Sequence, residues 1–215
     1  MTKTLVMISA LIALAATGAS AQGPSAVRLR LEPGSELSIS GTSSTHPFEC
    51  KTSKLIAYVD VDPGYTKDLT KVARPIASVQ VNIVVKTLLC GNKTMDKNMY
   101  AALKADKNEN QIIKYTLSGY DIVNATSSQF GAKTKGTLNV GGKEKAVAFN
   151  ITAERSANGK ASAKGEQSLL MSDFGIKPPS FMFGTLKVHD EIKVKFNLMT
   201  GPAMIAQIAA AIDRQ

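Results

Sequence analysis

Val79-Gln80-Val81-Asn82-Ile83-Val84-Val85-Lys86 is followed, after a glycine turn and a helical stretch, by Ile113-Lys114-Tyr115-Thr116-Leu117, and these two runs decide how the chain folds. Val79, Val81, Ile83 and Val85 alternate with Gln80, Asn82 and Val84, and Ile113, Tyr115 and Leu117 alternate with Lys114 and Thr116. Successive strand side chains point to opposite faces, so both runs predict strands with one dry and one wet side. The same period recurs outward along the chain. Eight strands are expected, over Glu36 to Thr42, His46 to Val61, Ile76 to Thr87, Gln111 to Val123, Phe130 to Val140, Lys143 to Arg155, Gly159 to Met171 and Asp190 to Met199. Asp62-Pro63-Gly64, Gly141-Gly142, Ala157-Asn158-Gly159 and Pro178-Pro179 supply turns between them. Leu138 and Val140 share a face with Val147, Phe149 and Ile151, while Ile192, Val194, Phe196 and Leu198 oppose Lys193, Lys195 and Asn197. An all-β sandwich or a closed barrel satisfies this spacing.

Two segments break the pattern. Met95, Met99, Ala102 and Leu103 fall at helical spacing behind Thr94 or Asp96 as a cap, which predicts a short helix over one end. Near the C terminus Pro202 precedes an apolar stripe of Met204, Ile205, Ile208 and Ile212, which predicts a helix. It either packs on the wall of its own domain or serves a membrane surface or a partner.

Lys3, the apolar run Leu5 to Ala16 and the small residues Ala19-Ser20-Ala21 read as a secretory signal cleaved before Gln22. Residues 1–21 are thus expected to be removed, 22–200 to form one β domain and 201–215 a helical extension. A mature chain of roughly 190 residues carries one core. The expected location is periplasmic or secreted, as a monomer or homodimer. The net charge of +9 comes from dispersed lysines, and the chain has no Trp. Dispersed charge without base-stacking aromatics describes a solvated surface and gives no nucleic-acid partner.

If Val61 faces Ile76 in a hairpin, antiparallel register brings Cys50 and Cys90 within a few residues of each other at the same end of the sheet. In an oxidising compartment that favours a disulfide over two free thiols or a catalytic cysteine. Catalytic vocabulary is sparse. His46 and His189 show no metal-ligand spacing; His46 reads as shaping a strand start and His189-Asp190 as a turn. Asp173-Phe174-Gly175 copies a kinase triplet without its companions, and Gly141-Gly142-Lys143 lacks a phosphate loop's spacing. The expectation is a protein that is not an enzyme, with no metal and no cofactor.

The ordered strings Ser44-Thr45-His46-Pro47-Phe48, Val81 to Lys86, Cys90-Gly91-Asn92 with Met95-Asp96-Lys97-Asn98-Met99, Gly136-Thr137-Leu138 with Gly142-Lys143, Ser172-Asp173-Phe174-Gly175-Ile176 and Leu186 to Phe196 resemble the YceI-like family of lipocalin-like exported bacterial proteins. The likeness spans Leu37 to Leu198. Pro47 and Phe48 stand where many relatives have Asp and Trp. The resemblance implies an eight-stranded antiparallel lipocalin-like barrel with a helix over one opening, and a tunnel for an amphiphilic lipid, a polyisoprenoid or isoprenoid quinone. On that implication Val81, Ile83, Val85, Tyr115, Leu117, Val147, Phe149 and Phe196 form the tunnel wall, with Tyr115 placed to orient a polar head. The same faces would equally fill a solid core. The alternative function is an envelope stress or interaction protein that uses the barrel as a scaffold, in transient contact with a membrane surface.

Overall fold

Gly141 and Gly142 adopt left-handed backbone conformations, with φ of 59° and 78°. Such a glycine pair suits a two-residue hairpin turn whose twist matches its strands. It joins β7 (Gln129–Val140) to β8 (Lys143–Arg155) in unbroken register from Val140 opposite Lys143 to Gln129 opposite Glu154. The computed structural model describes residues 26–66, 68–156, 160–181 and 185–201. The leader, the turn at Ala157-Asn158-Gly159 and the helix expected beyond Gly201 lie outside the described residues.

The remaining elements are β1 (Val27–Leu29), β2 (Glu36–Ser43), β3 (Pro47–Thr52), β4 (Leu55–Val61), β5 (Ile76–Val84), α1 (Lys93–Ala102), β6 (Ile112–Ala125), β9 (Ala161–Leu170), β10 (Ser180–Phe181) and β11 (Leu186–Thr200). Ten strands form one curled antiparallel sheet in the order β1-β4-β5-β6-β7-β8-β9-β11-β2-β3, and β10 pairs with β11 off this path. The fold is therefore all-β with one helix. Eleven described strands replace the expected eight. β1 is only three residues long and β10 two, too short for a period to show. The strand expected over His46 to Val61 is two strands, because Thr52 turns the chain: its Oγ1 accepts the Lys54 amide (3.0 Å) and lies 2.8 Å from Thr87 Oγ1. Its first half pairs with β2 and its second with β5. His189 also departs from expectation. It sits within β11, beside a register shift between Val188 and Ile192, with Nδ1 2.9 Å from Thr42 Oγ1.

β3 and β4 stand near opposite margins of the ladder yet are joined by Ser53-Lys54 alone, so the chain itself draws the margins together. Three contacts fasten that seam. Lys51 and Leu89 exchange backbone hydrogen bonds of 2.8 and 2.9 Å, the Thr52 and Thr87 hydroxyls meet, and Cys50 is disulfide-bonded to Cys90. At the far end Leu31 bridges Thr200, Glu32 N donates to Met199 O (2.8 Å), and Gly201 N donates to Arg30 O (3.1 Å). β1 thereby runs from the β4 margin to β11.

α1 is capped by Asn92, two residues ahead of Thr94 and four ahead of Asp96, the expected caps. The Asn92 Oδ1 accepts from Thr94 N (2.9 Å) and Met95 N (3.3 Å), while the Asp96 carboxylate accepts from Cys90 N (2.6 Å). The Asn92 contacts satisfy amides that a helix start leaves open, and the Asp96 contact ties the first turn back to Cys90. Tyr100 Oη donates to Leu88 O (2.7 Å), which ties the helix to the turn after β5.

Replacing both cysteines by Ser should lower the unfolding free energy by up to about 4 kcal/mol, as expected for a crosslink closing a loop of this length. Urea titration measures this, and thiol counting should find none in native protein. A second prediction concerns β1. Arg28 donates to both Asp60 oxygens (2.8 and 3.0 Å). Hydrogen bonding from Arg28, opposed by partial burial and aided by Ser78, holds the Asp60 carboxyl below its ordinary value. A depressed carboxyl stabilises the fold above its unfolded value and loses that contribution as pH falls through the folded one. Asp60→Asn should therefore destabilise by about 1 kcal/mol or less at pH 7. Its melting curve should begin to approach that of the parent only below about pH 4, the ordinary carboxyl value, and meet it once pH has fallen through the lower folded value.

Candidate functional site: an apolar cavity

Period-two alternation puts the dry side of each strand toward the inside of the curl, and these dry sides do not fill it. They enclose a cavity of about 370 Å³, within the roughly 300–1,000 Å³ typical of small-molecule sites. Met95, Met99 and Leu103 from α1 and its C-cap lie at one end, and Pro75, Phe130 and Arg155 at the other. Two clusters of buried apolar residues both contribute to the lining: one through Leu37, Ile83 and Leu138, the other through Leu29, Val61 and Phe130. The ionisable residues in the described lining are Tyr115, Glu154 and Arg155.

Glycines explain why aromatic rings do not close this space. Phe196 stands opposite Gly165 in the β9–β11 ladder, and a Cβ on Gly165 would come 2.6 Å from Phe196 Cζ. Phe48 stands opposite Gly41, where the corresponding distance is 2.7 Å, and a Cβ on Gly136 would meet the Tyr115 ring at 2.5 Å. Carbon atoms pack no closer than about 3.5 Å, so each ring occupies space that any other residue would need. The rings rest on the bare backbone of the wall instead of standing across the interior. Tyr115, Phe149 and Phe196 then pack edge to face, with centroids 5.5 and 5.7 Å apart, an arrangement aromatic quadrupoles favour.

Between the two ends the Tyr115 and Thr134 hydroxyls interrupt the hydrocarbon. Tyr115 Oη lies 3.5 Å from Thr134 Oγ1, a long contact, and the Thr134 hydroxyl is already engaged with Phe149 O (3.1 Å) and Phe149 N (3.3 Å). Burial pushes the Tyr115 phenol above its ordinary value, so it stays protonated at neutral pH and can donate.

Val81, Ile83, Tyr115, Leu117, Phe149 and Phe196, all expected at the wall, line the cavity together. Val85 does not: it begins the tight turn after β5 and is enclosed in the core at 1% exposure. Val147 does not either, because β8 has separated from β9 at that level and Val147 faces the gap. Sequence reasoning missed the lining from Leu29 in β1 and the glycines beneath the rings. Met95 and Met99 carried a legible helical stripe, and the helix expected over one opening stands at one end of the cavity. Among the described residues no three His, Cys, Asp or Glu side chains gather as a metal site, and no helix is long and apolar enough to cross a membrane.

Residues 36–200 match the family model described as YceI-like domain. The chain belongs to the YceI-like family. No curated protein matches its sequence. Among solved structures, BcnA of Burkholderia cenocepacia is 22% identical, with a TM-score of 0.62 over 78% of this chain and 96% of its own. A YceI protein of Campylobacter jejuni is 17% identical, with a TM-score of 0.54 over 70% and 82%. A polyisoprenoid binding domain from Saccharophagus degradans, implicated in plant cell wall breakdown, is 12% identical, with a TM-score of 0.58 over 83% and 99%. At these identities the three share the fold of this YceI-like chain.

The ring-on-glycine packing makes a direct prediction. Gly165→Ala should destabilise by about 1–3 kcal/mol, the usual cost of overpacking. In a Phe196→Ala background the ring contact is gone and only the Asn150 carbonyl stays close, at 2.9 Å, so the same Gly165→Ala change should cost less than in the parent, and a double-mutant cycle by urea unfolding should show coupling between the two sites.

Proposed function

We propose that this YceI-like protein is a noncatalytic exported carrier or sequestering protein that encloses the tail of a polyisoprenoid or isoprenoid quinone. The observation that carries the reading is the apolar cavity between α1 and the far end of the sheet, kept open by rings lying on glycine. The Saccharophagus degradans neighbour, described as a polyisoprenoid binding domain, supports the ligand class. The leader supports export, and a mature N terminus at Gln22 is its expected signature.

Each methylene removed from water contributes about 0.8 kcal/mol. Several isoprene units therefore outweigh any single head-group hydrogen bond of about 1 kcal/mol, even after the cost of ordering the tail. Tyr115 supplies a donor inside the cavity for a carbonyl or hydroxyl. With hydrocarbon on nearly every side, the site holds a tail in place and has no evident means of transforming it.

Affinity should climb steeply through geraniol, farnesol and geranylgeraniol, measured by native mass spectrometry, and level off once the tail fills the cavity. Equal binding of all three, or none, would overturn the proposal.

A further inference from the structure

β8 and β9 are paired only from Asn150 opposite Glu166 to Arg155 opposite Ala161. Both continue beyond that point, β8 to Lys143 along β7 and β9 to Leu170 along β11, with no pairing between them. The wall is split there. The split is a second cavity of about 410 Å³, lined by Lys133, Lys145, Val147, Asn150, Gln167 and Asp173 among others, and it shares Leu169 and Phe174 with the apolar cavity.

Register assigns sides to this lining. Lys145 pairs with Leu138, Gln167 with Val194 and Leu169 with Ile192, and all three partners line the apolar cavity. Directly paired residues share a sheet face, so Lys145, Gln167 and Leu169 belong to the inner side. Lys133 and Asn150 pair with each other on the outer side. The opening thus passes through the wall, polar on both sides and adjoining the hydrocarbon lining.

A short turn, Met171–Phe174, lies across it. Ser172 is fixed to Asp190 of β11 by its amide (2.8 Å) and by its hydroxyl, Asp173 pairs with Lys145 (3.1 Å), and Phe174 is buried. Gly175 ends the turn in a left-handed conformation with φ of 67°. This gives the Ser172 to Ile176 string, so far without a role, a place at the boundary between the two cavities.

We infer that the split between β8 and β9 is the head-group site of the bound lipid, and that it takes a prenyl chain bearing an anionic phosphate. The inference rests on the carrier reading above. Its warrant is chemical. Two ammonium groups, Lys145 and Lys133, and two side-chain amides, Asn150 and Gln167, offer donors, against the single carboxylate of Asp173. A phosphate accepts from such donors and can exchange with Asp173 for Lys145. The tail passes Phe174 and Leu169 into the apolar cavity.

Geranylgeranyl monophosphate and geranylgeraniol, titrated by native mass spectrometry, test this. Lys145→Gln and, separately, Gln167→Leu should each weaken the phosphate about tenfold, the loss of one charge-assisted or buried hydrogen bond, and change the alcohol less than about twofold. Lys135→Gln on the outer wall and Arg155→Gln at the far end of the apolar cavity should show no such selectivity. Equal effects on both probes, or selective loss in Arg155→Gln, would overturn the head-group assignment while leaving the carrier intact. Displacement of the lipid phosphate by inorganic phosphate would assign the split to a free anion and overturn it too. Failure of both probes to bind the parent protein would instead remove the carrier reading itself.

Discussion

Hydrocarbon that faces a hollow must meet something other than water, and this constraint governs the molecule. The inner faces of the sheet are dry, as period-two patterning requires, yet they do not meet as a solid interior. A filled small barrel would gain its stability from side chains packed across the middle. Here part of that contact is withheld, because the rings of Tyr115, Phe48 and Phe196 rest on glycine in the wall. On the proposed carrier reading, a lipid tail entering the space would recover the missing contacts, and the unfilled core would supply the binding free energy.

A wall around a hollow needs stiffness from its seams. Along one seam the disulfide, the Lys51 and Leu89 hydrogen bonds and the Thr52 and Thr87 hydroxyls fasten the turn after β5 to β3. At the far end β1 hands the chain from β4 to β11. These are local, directional interactions that hold without a packed centre. The same disulfide ends at Cys90, immediately before the turn that starts α1, so the helix at the cavity end is anchored through the covalent link and through Tyr100. Where the ladder between β8 and β9 stops, at Asn150 and Glu166, a short turn lies across the gap.

Much of this was legible in the residues. The strong alternations survive as β5, β6, β7, β8 and β11, and Lys143 to Arg155 matches β8 at both bounds, because a two-residue glycine turn fixes one end. The helix was legible from its methionine stripe. β1 and β10 were not, since two or three residues carry no period, and the break at Thr52 was not, since it depends on a hydroxyl partner in a distant turn. For the site, alternation found Val81, Ile83, Tyr115, Leu117, Phe149 and Phe196. It could not see that the ladder would part beside Val147, or that Val85 would leave the strand, because both depend on which strands pair and where pairing stops. Hollow and filled interiors share one alternation; the signal that separates them is an aromatic placed in register with a glycine, and register is known only once pairing is.

The most direct test of a lipid-filled interior is native mass spectrometry of the mature protein purified from its own host under non-denaturing conditions, followed by organic extraction. The account predicts a mass excess that extraction removes and that proves to be a prenyl chain. Protein carrying no added mass, with a crystal structure whose interior is closed by its own side chains, would contradict it.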